Sequence, residues 1–142
     1  MEDSLNDDLT SAPLLDTLAM TVHPTTEGTC EITMTVDQRH LRSLNMLHGG
    51  VTATLLDTAL GFAVMSTAGE DQHSVTTQLN IHYIRAAMLG DELRATGEIV
   101  RRGGRTAVAR GEVRGPDNSL IAIATGSFQF LPKTTSAPSV TG

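Results

Sequence analysis

Three sets of residues in this sequence have types and spacings that suit chemistry. The first is Asp57, the only charged side chain between Gly49 and Met65. A carboxylate is costly to bury without a partner, and desolvation raises its pKa. Set at a cleft, such a group serves as a general base or a nucleophile. Read alone, it fits equally a structural acid bonded to nearby backbone or hydroxyls. The second set is His48-Gly49-Gly50, immediately before that apolar run. Backbone N–H groups at a helix start are unpaired and point outward, and glycines let a ligand oxygen come close. The turn is therefore a candidate oxyanion hole, although Gly-Gly also serves as a plain tight turn and His48 as a structural donor. The third set is Thr76, Gln78 and Asn80, which alternation places on one strand face, a pattern that a solvated face also produces.

The elements that must position these residues follow from periodicity. Leu47 to Met65 reads as one long helix, apolar almost all round and therefore buried. Before it, Ser11-Ala12-Pro13 opens a short helix with Ser11 as N-cap. Leu18 to His23 and Cys30 to Val36 read as strands, the second with Cys30, Ile32, Met34 and Val36 on one face. Asp37 to Asn45 is a polar connection. After Gly69 come four strands, Ser74 to Ile84, Glu92 to Val100, Thr106 to Arg114 and Leu120 to Phe130. Arg101-Arg102-Gly103-Gly104-Arg105 forms a hairpin turn. Hairpin-length links make these last four antiparallel. One face of the sheet needs an apolar cover, which the helix supplies. The expected fold is α+β, a hotdog fold in which a long central helix is wrapped by a curved antiparallel sheet of five to six strands. Residues 1–10 read as a disordered acidic N-terminus, 11–131 as one domain and 132–142 as a flexible tail.

Composition narrows the function. The 142 residues carry a formal charge of −6, four of the negative charges coming from Glu2, Asp3, Asp7 and Asp8. No basic face with interleaved aromatics is present, so nucleic acid is not an expected partner. The run Gly49 to Ala68 has the length of a membrane span. Asp57, several hydroxyls and the absence of flanking Lys/Arg clusters speak against a membrane role. The acidic N-terminus is unlike a signal peptide. The single cysteine, Cys30, excludes an internal disulfide and suits a reducing compartment, so a cytoplasmic location is expected. The five histidines lack metal-ligand spacing with Asp or Glu, and neither a metal nor another cofactor is expected.

Taken together, His48-Gly49-Gly50, Asp57 and the strand Thr76-Thr77-Gln78-Leu79-Asn80-Ile81-His82-Tyr83-Ile84-Arg85-Ala86-Ala87 resemble the hotdog-fold acyl-CoA thioesterases of the PaaI and 4-hydroxybenzoyl-CoA thioesterase group. The resemblance runs from about Leu14 to Leu131. It implies hydrolysis of an acyl-CoA thioester, with Asp57 activating water or attacking directly and the Gly49 N–H polarising the carbonyl. His48 and Gly50 would shape that turn, and Thr76 would orient the water. Arg102 and Arg105 at the hairpin are expected contacts for CoA phosphates, and Phe62, Met65, Met46 and Leu55 for the acyl group. The family pattern places an Asn or Gln six residues before the motif's His, where this chain has Arg42. Asn45 is the nearest amide and the candidate substitute. The strand's usual Pro is Ala86.

The competing readings are a hotdog hydratase or dehydratase, disfavoured because no His follows Asp57 before His73, and a non-catalytic acyl-CoA-binding module, disfavoured by Asp57 itself. Helix geometry adds one expectation. Gly49 and Asp57 lie eight residues apart, about 12 Å along a helix. Reacting atoms must come within roughly 3–3.5 Å. One chain cannot then supply both groups to one substrate, and a homodimer, extendable to a tetramer, is expected, each site taking Gly49 from one subunit and Asp57 from the other.

Overall fold

A computed structural model describes residues 12–133. The expectations for the acidic N-terminus, for Ser11 as an N-cap and for the tail beyond Lys133 lie outside those residues. Two helices and six strands follow in chain order: α1 (Pro13–Thr17), β1 (Thr21–His23), β2 (Thr29–Thr35), α2 (Gly49–Met65), β3 (Gln72–Tyr83), β4 (Glu92–Arg102), β5 (Thr106–Arg114) and β6 (Leu120–Pro132). All strands join one antiparallel sheet in the order β1-β2-β4-β5-β6-β3.

That order corrects the expectation of four consecutive hairpin-linked strands. β3 pairs with β6 at the far edge, and β4 pairs with β2. The link from β3 to β4 is a crossover, not a hairpin. Ile84 N–H and Arg85 N–H bond Ile121 C=O, Ala87 C=O accepts Leu47 N–H, and Gly90 N–H reaches Val36 C=O. The crossover thus passes the His48 turn and delivers the chain to the end of β2. The first strand is also shorter than its apolar run, because Ala19 turns into the left-handed region at φ 55° and Leu18 closes α1.

α2 packs mainly on β2, β4 and β5. Its buried residues, Thr52, Leu55, Leu56, Ala59, Leu60, Ala63 and Val64, recur at 3- and 4-residue steps and form one stripe against the sheet. Contact there is close enough that a Cβ on Gly97 would stand 2.6 Å from Ala59 C=O, so the strand must carry glycine. The opposite face, with Thr54, Asp57, Thr58, Gly61 and Met65, is only half-buried. The helix is therefore not enclosed all round. Its second apolar face looks into a cleft, and Asp57 stands on that face.

Cys30 lies in the core, 4% exposed. Burial, helped by the neighbouring Glu31 charge, pushes its thiol up to about 11. At pH 8 the thiolate is then about a thousandth of the total, and access is closed as well. A disulfide reagent at pH 8 should leave the folded protein unlabelled and titrate one thiol after denaturation. Prompt labelling of the native protein would contradict this packing.

Candidate active site

The turn that begins α2 is held from several sides. Leu47 N–H donates to Ala87 C=O at 2.8 Å and His48 N–H to His40 C=O at 2.9 Å. His48 is the N-cap, with extended backbone at φ −66° and ψ 132°, and its Nδ1 accepts Gly50 N–H at 2.8 Å. A Cβ on Gly50 would stand 3.0 Å from that nitrogen, so glycine makes room for the cap. Gly50 N–H is therefore occupied, and Val51 N–H bonds His48 C=O. The Gly49 N–H has no acceptor among the described residues. Of the two glycines expected to face a carbonyl, Gly49 has the open donor, and His48 serves as a cap. Tyr83 was not singled out from sequence. Its hydroxyl donates to Gly49 C=O at 2.8 Å and its ring lies against Gly49, so β3 and the turn are tied across 34 residues.

Asp57 is tied to β3 as well. Thr76 Oγ1 donates to Asp57 Oδ1 at 2.8 Å, and among the described residues no group bonds Oδ2. The sequence expectation that Thr76, Gln78 and Asn80 share a face does not hold. β3 carries a bulge between Thr76 and Gln78, and one extra residue reverses the alternation beyond it. Thr76 opposes the core residue Phe128, and beyond the bulge Leu79, Ile81 and Tyr83 oppose Gly126, Ala124 and Ala122. Thr76 therefore shares the helix side with Leu79 and Tyr83, while Gln78 and Asn80 turn away.

Asp57 and Thr76 open into a cleft of about 310 Å³ whose walls include Leu14, Phe62, Met65 and Phe128. Gly49 and Tyr83 open into another, of about 290 Å³, with Met46, Arg42 and Arg85. In one chain the carboxylate and the open N–H thus face different clefts. Of the residues expected to meet the acyl group, Phe62 and Met65 line the Asp57 cleft. Met46 lies at the other cleft, and Leu55 is fully buried on the sheet side, which removes it. Asn45 is exposed, with left-handed backbone at φ 57° that Asn tolerates well, and its C=O accepts Leu89 N–H. Its position serves the turn. In place of an open phosphate contact, Arg102 is spent inside the fold. It donates to the carbonyls of Gly103, Gly104 and Thr67 and to Gln72 Oε1, and stacks 3.8 Å from the Phe130 ring centroid. Arg105 is exposed at the hairpin. A larger hollow of about 830 Å³ lies among Glu31, Glu98, Arg110 and Glu112 on the sheet and holds none of these groups.

A long helix cradled by a six-stranded antiparallel sheet, with a Gly-Gly turn at its start and an acid on its open face, is the hotdog architecture. Residues 44–122 match the model of the Thioesterase superfamily, and the chain belongs to that family. A relative from Archaeoglobus fulgidus, named as a candidate esterase, is 35% identical over 101 residues, 71% of this chain and 64% of the relative. Mouse acyl-coenzyme A thioesterase 13 is 38% identical over 80 residues, 56% of this chain and 55% of that protein. The match thus spans between half and two-thirds of these relatives' own length. The Escherichia coli acyl-coenzyme A thioesterase PaaI is 30% identical over 100 residues, 70% of this chain and 69% of PaaI. The solved PaaI structure superposes with a TM-score of 0.81, covering 92% of this chain and 91% of PaaI at 24% identity, which establishes the shared fold. No described helix is long and apolar enough to cross a membrane.

Proposed function

We propose that this chain hydrolyses acyl-CoA thioesters, in a homodimer whose two active sites each combine Gly49 of one subunit with the partner subunit's Asp57. The observation that carries the reading is the Thr76–Asp57 hydrogen bond, which fixes a half-buried carboxylate at the mouth of a mainly apolar cleft with one oxygen free. That oxygen takes the proton of an attacking water or attacks the thioester itself. The Gly49 N–H stabilises the oxyanion that develops on the carbonyl. Thr76 thus orients the carboxylate more directly than the water. Arg42 and Arg85, exposed beside the Gly49 cleft and in no ion pair among the described residues, supply cationic contacts for CoA phosphates. The names of the thioesterase 13 and PaaI relatives support the substrate class.

The edge strand β3 supports the dimer. This edge strand has twelve residues, and among the described residues its outer row of backbone groups pairs with no other strand, an arrangement that invites one. Gly49 is tied to Tyr83 at the end of β3 and Asp57 to Thr76, the fifth of its twelve residues. Those seven positions span about 23 Å of strand. An antiparallel pair of β3 strands centred near Leu79 and Asn80 lays Tyr83 of one subunit beside the partner's Thr76. It thereby carries each Gly49 turn to the partner subunit's Asp57. A two-fold axis makes both sites alike.

The test is release of free CoA, read with a thiol reagent, from a panel running from acetyl-CoA to dodecanoyl-CoA and phenylacetyl-CoA. Hydrolysis of at least one member is expected, with activity per chain falling when dilution splits the dimer. No release from any member at micromolar protein would overturn the assignment.

A further inference from the structure

We infer that α1 forms the selectivity wall of the cleft beside Asp57, with Leu14 as the residue that sets how long an apolar acyl chain fits. The inference rests on the thioesterase reading and assigns the acyl end of its substrate. Ala12, Leu14 and Leu15 close one side of that cleft, opposite Phe62, Met65 and Phe128. The two leucines have different environments. Leu15 is 5% exposed and anchors α1 in the core, whereas Leu14 is 52% exposed and spends its apolar surface on the cleft rim.

A five-residue helix has no stability of its own, so a wall made from it needs clamps. They are present. Arg39 Nη1 donates to Thr17 C=O at 3.0 Å, and the His40 ring, fully buried, meets Leu18 C=O through Nε2 at 2.7 Å. The His40 Nδ1 accepts Asp37 N–H at 3.0 Å, which leaves Nε2 to carry the proton it donates. Met20 N–H returns to Leu15 C=O at 2.9 Å. These bonds fix the end of α1 and thereby the place of Leu14.

The cleft's chemistry identifies its occupant. Polar groups gather around Asp57 with Thr58, Thr76, Ser74 and His73, and the remaining wall, with Leu14, Phe62, Met65 and Phe128, is apolar. The occupant is therefore an acyl or aryl chain without charge. A volume of about 310 Å³ is that of roughly ten groups the size of a water molecule, at about 30 Å³ each, and a methylene is of similar size. The cleft suits medium chains and a phenyl ring better than long chains.

The experiment compares kcat/KM across the acyl-CoA panel for wild type, Leu14→Ala and Leu14→Trp, with Asp57→Asn as the chemical control. The readout is the ratio of kcat/KM for decanoyl-CoA to that for acetyl-CoA. One methylene in an apolar pocket is worth at least about tenfold, so Leu14→Trp should lower the ratio by about tenfold or more, through KM. Leu14→Ala should move the optimum to longer chains. Superimposable profiles in all three Leu14 forms, with wild type active and Asp57→Asn inactive, overturn the wall and leave the thioesterase reading intact. A wild type that cleaves no member overturns both. Two substitutions of opposite size at a half-exposed position guard against a single misfolded variant.

Discussion

Asp57→Asn should lower kcat by about a thousandfold, within the 10²–10⁴ range for loss of a general base, and leave KM within a few-fold. Asparagine keeps the size of the side chain, and its carbonyl oxygen still accepts the Thr76 hydroxyl. The geometry of the cleft therefore survives, and what disappears is the negative charge and the ability to accept a proton or bond to the acyl carbon. A thousandfold corresponds to about 4 kcal/mol of barrier. No binding contact to CoA or to the acyl chain is removed, so the loss falls on kcat. Thr76→Val provides the comparison. It removes one hydrogen bond to a charged group, worth about 1.5–3 kcal/mol when fully expressed, and the carboxylate itself remains. Its loss should be one to two orders of magnitude smaller than that of Asp57→Asn. Steady-state kinetics on the best substrate, with thermal melting to show an intact fold, decides the matter. An Asp57→Asn variant retaining a tenth of wild-type kcat would remove this carboxylate from the chemistry.

Local pattern made most of the elements legible. The limits of β5 and the end of α2 at Met65 stand as the sequence predicts them, because strand alternation and helical run are properties of adjacent residues. What escaped depends on contacts far apart in the chain. The pairing of β3 with β6 joins residues about fifty positions apart, and no periodicity encodes which strand is the neighbour. The bulge after Thr76 reverses the face of everything beyond it, and a run of Thr-Thr-Gln gives no sign of it. On α2 the residues are apolar on both sides, so hydrophobicity alone cannot tell the sheet stripe with Leu55 and Ala59 from the cleft stripe with Phe62 and Met65. The small residues decide it. Ala59 lies where the sheet comes closest, its carbonyl oxygen 2.6 Å from where a Cβ on Gly97 would stand. In the site, His48-Gly49-Gly50 and Asp57 were visible by type and spacing. Tyr83 was not, because its role arises only when β3 meets the start of α2.

Mixing two inactive variants should restore activity, and this outcome bears directly on the composite site. Gly49→Pro removes the N–H of the turn that has no acceptor among the described residues. Proline is well accepted at the first helical position, and His48, at ψ 132°, already has the extended backbone that a following proline requires. A Cβ at position 49 stands 3.4 Å or more from the Tyr83 ring, ordinary contact. Loss of one oxyanion donor costs about 10²–10³ in kcat. Gly49→Ala keeps the N–H and separates that loss from any effect of added bulk. In a hybrid dimer of Gly49→Pro with Asp57→Asn, one site takes its intact Gly49 from the Asp57→Asn subunit and its intact Asp57 from the Gly49→Pro subunit. The other site carries both defects. With two equivalent sites per dimer, the hybrid should turn over at about half the wild-type rate, a gain of at least about fiftyfold over either parent. Two affinity tags on co-expressed chains isolate the hybrid, and CoA release measures it. If both groups acted within one chain, every subunit of the hybrid would be defective and its rate could not exceed the mean of its parents. The helix length makes that second outcome the unexpected one, because eight residues of helix hold Gly49 and Asp57 about 12 Å apart, and β3 anchors them seven positions apart on an edge that a two-fold pair would bring together.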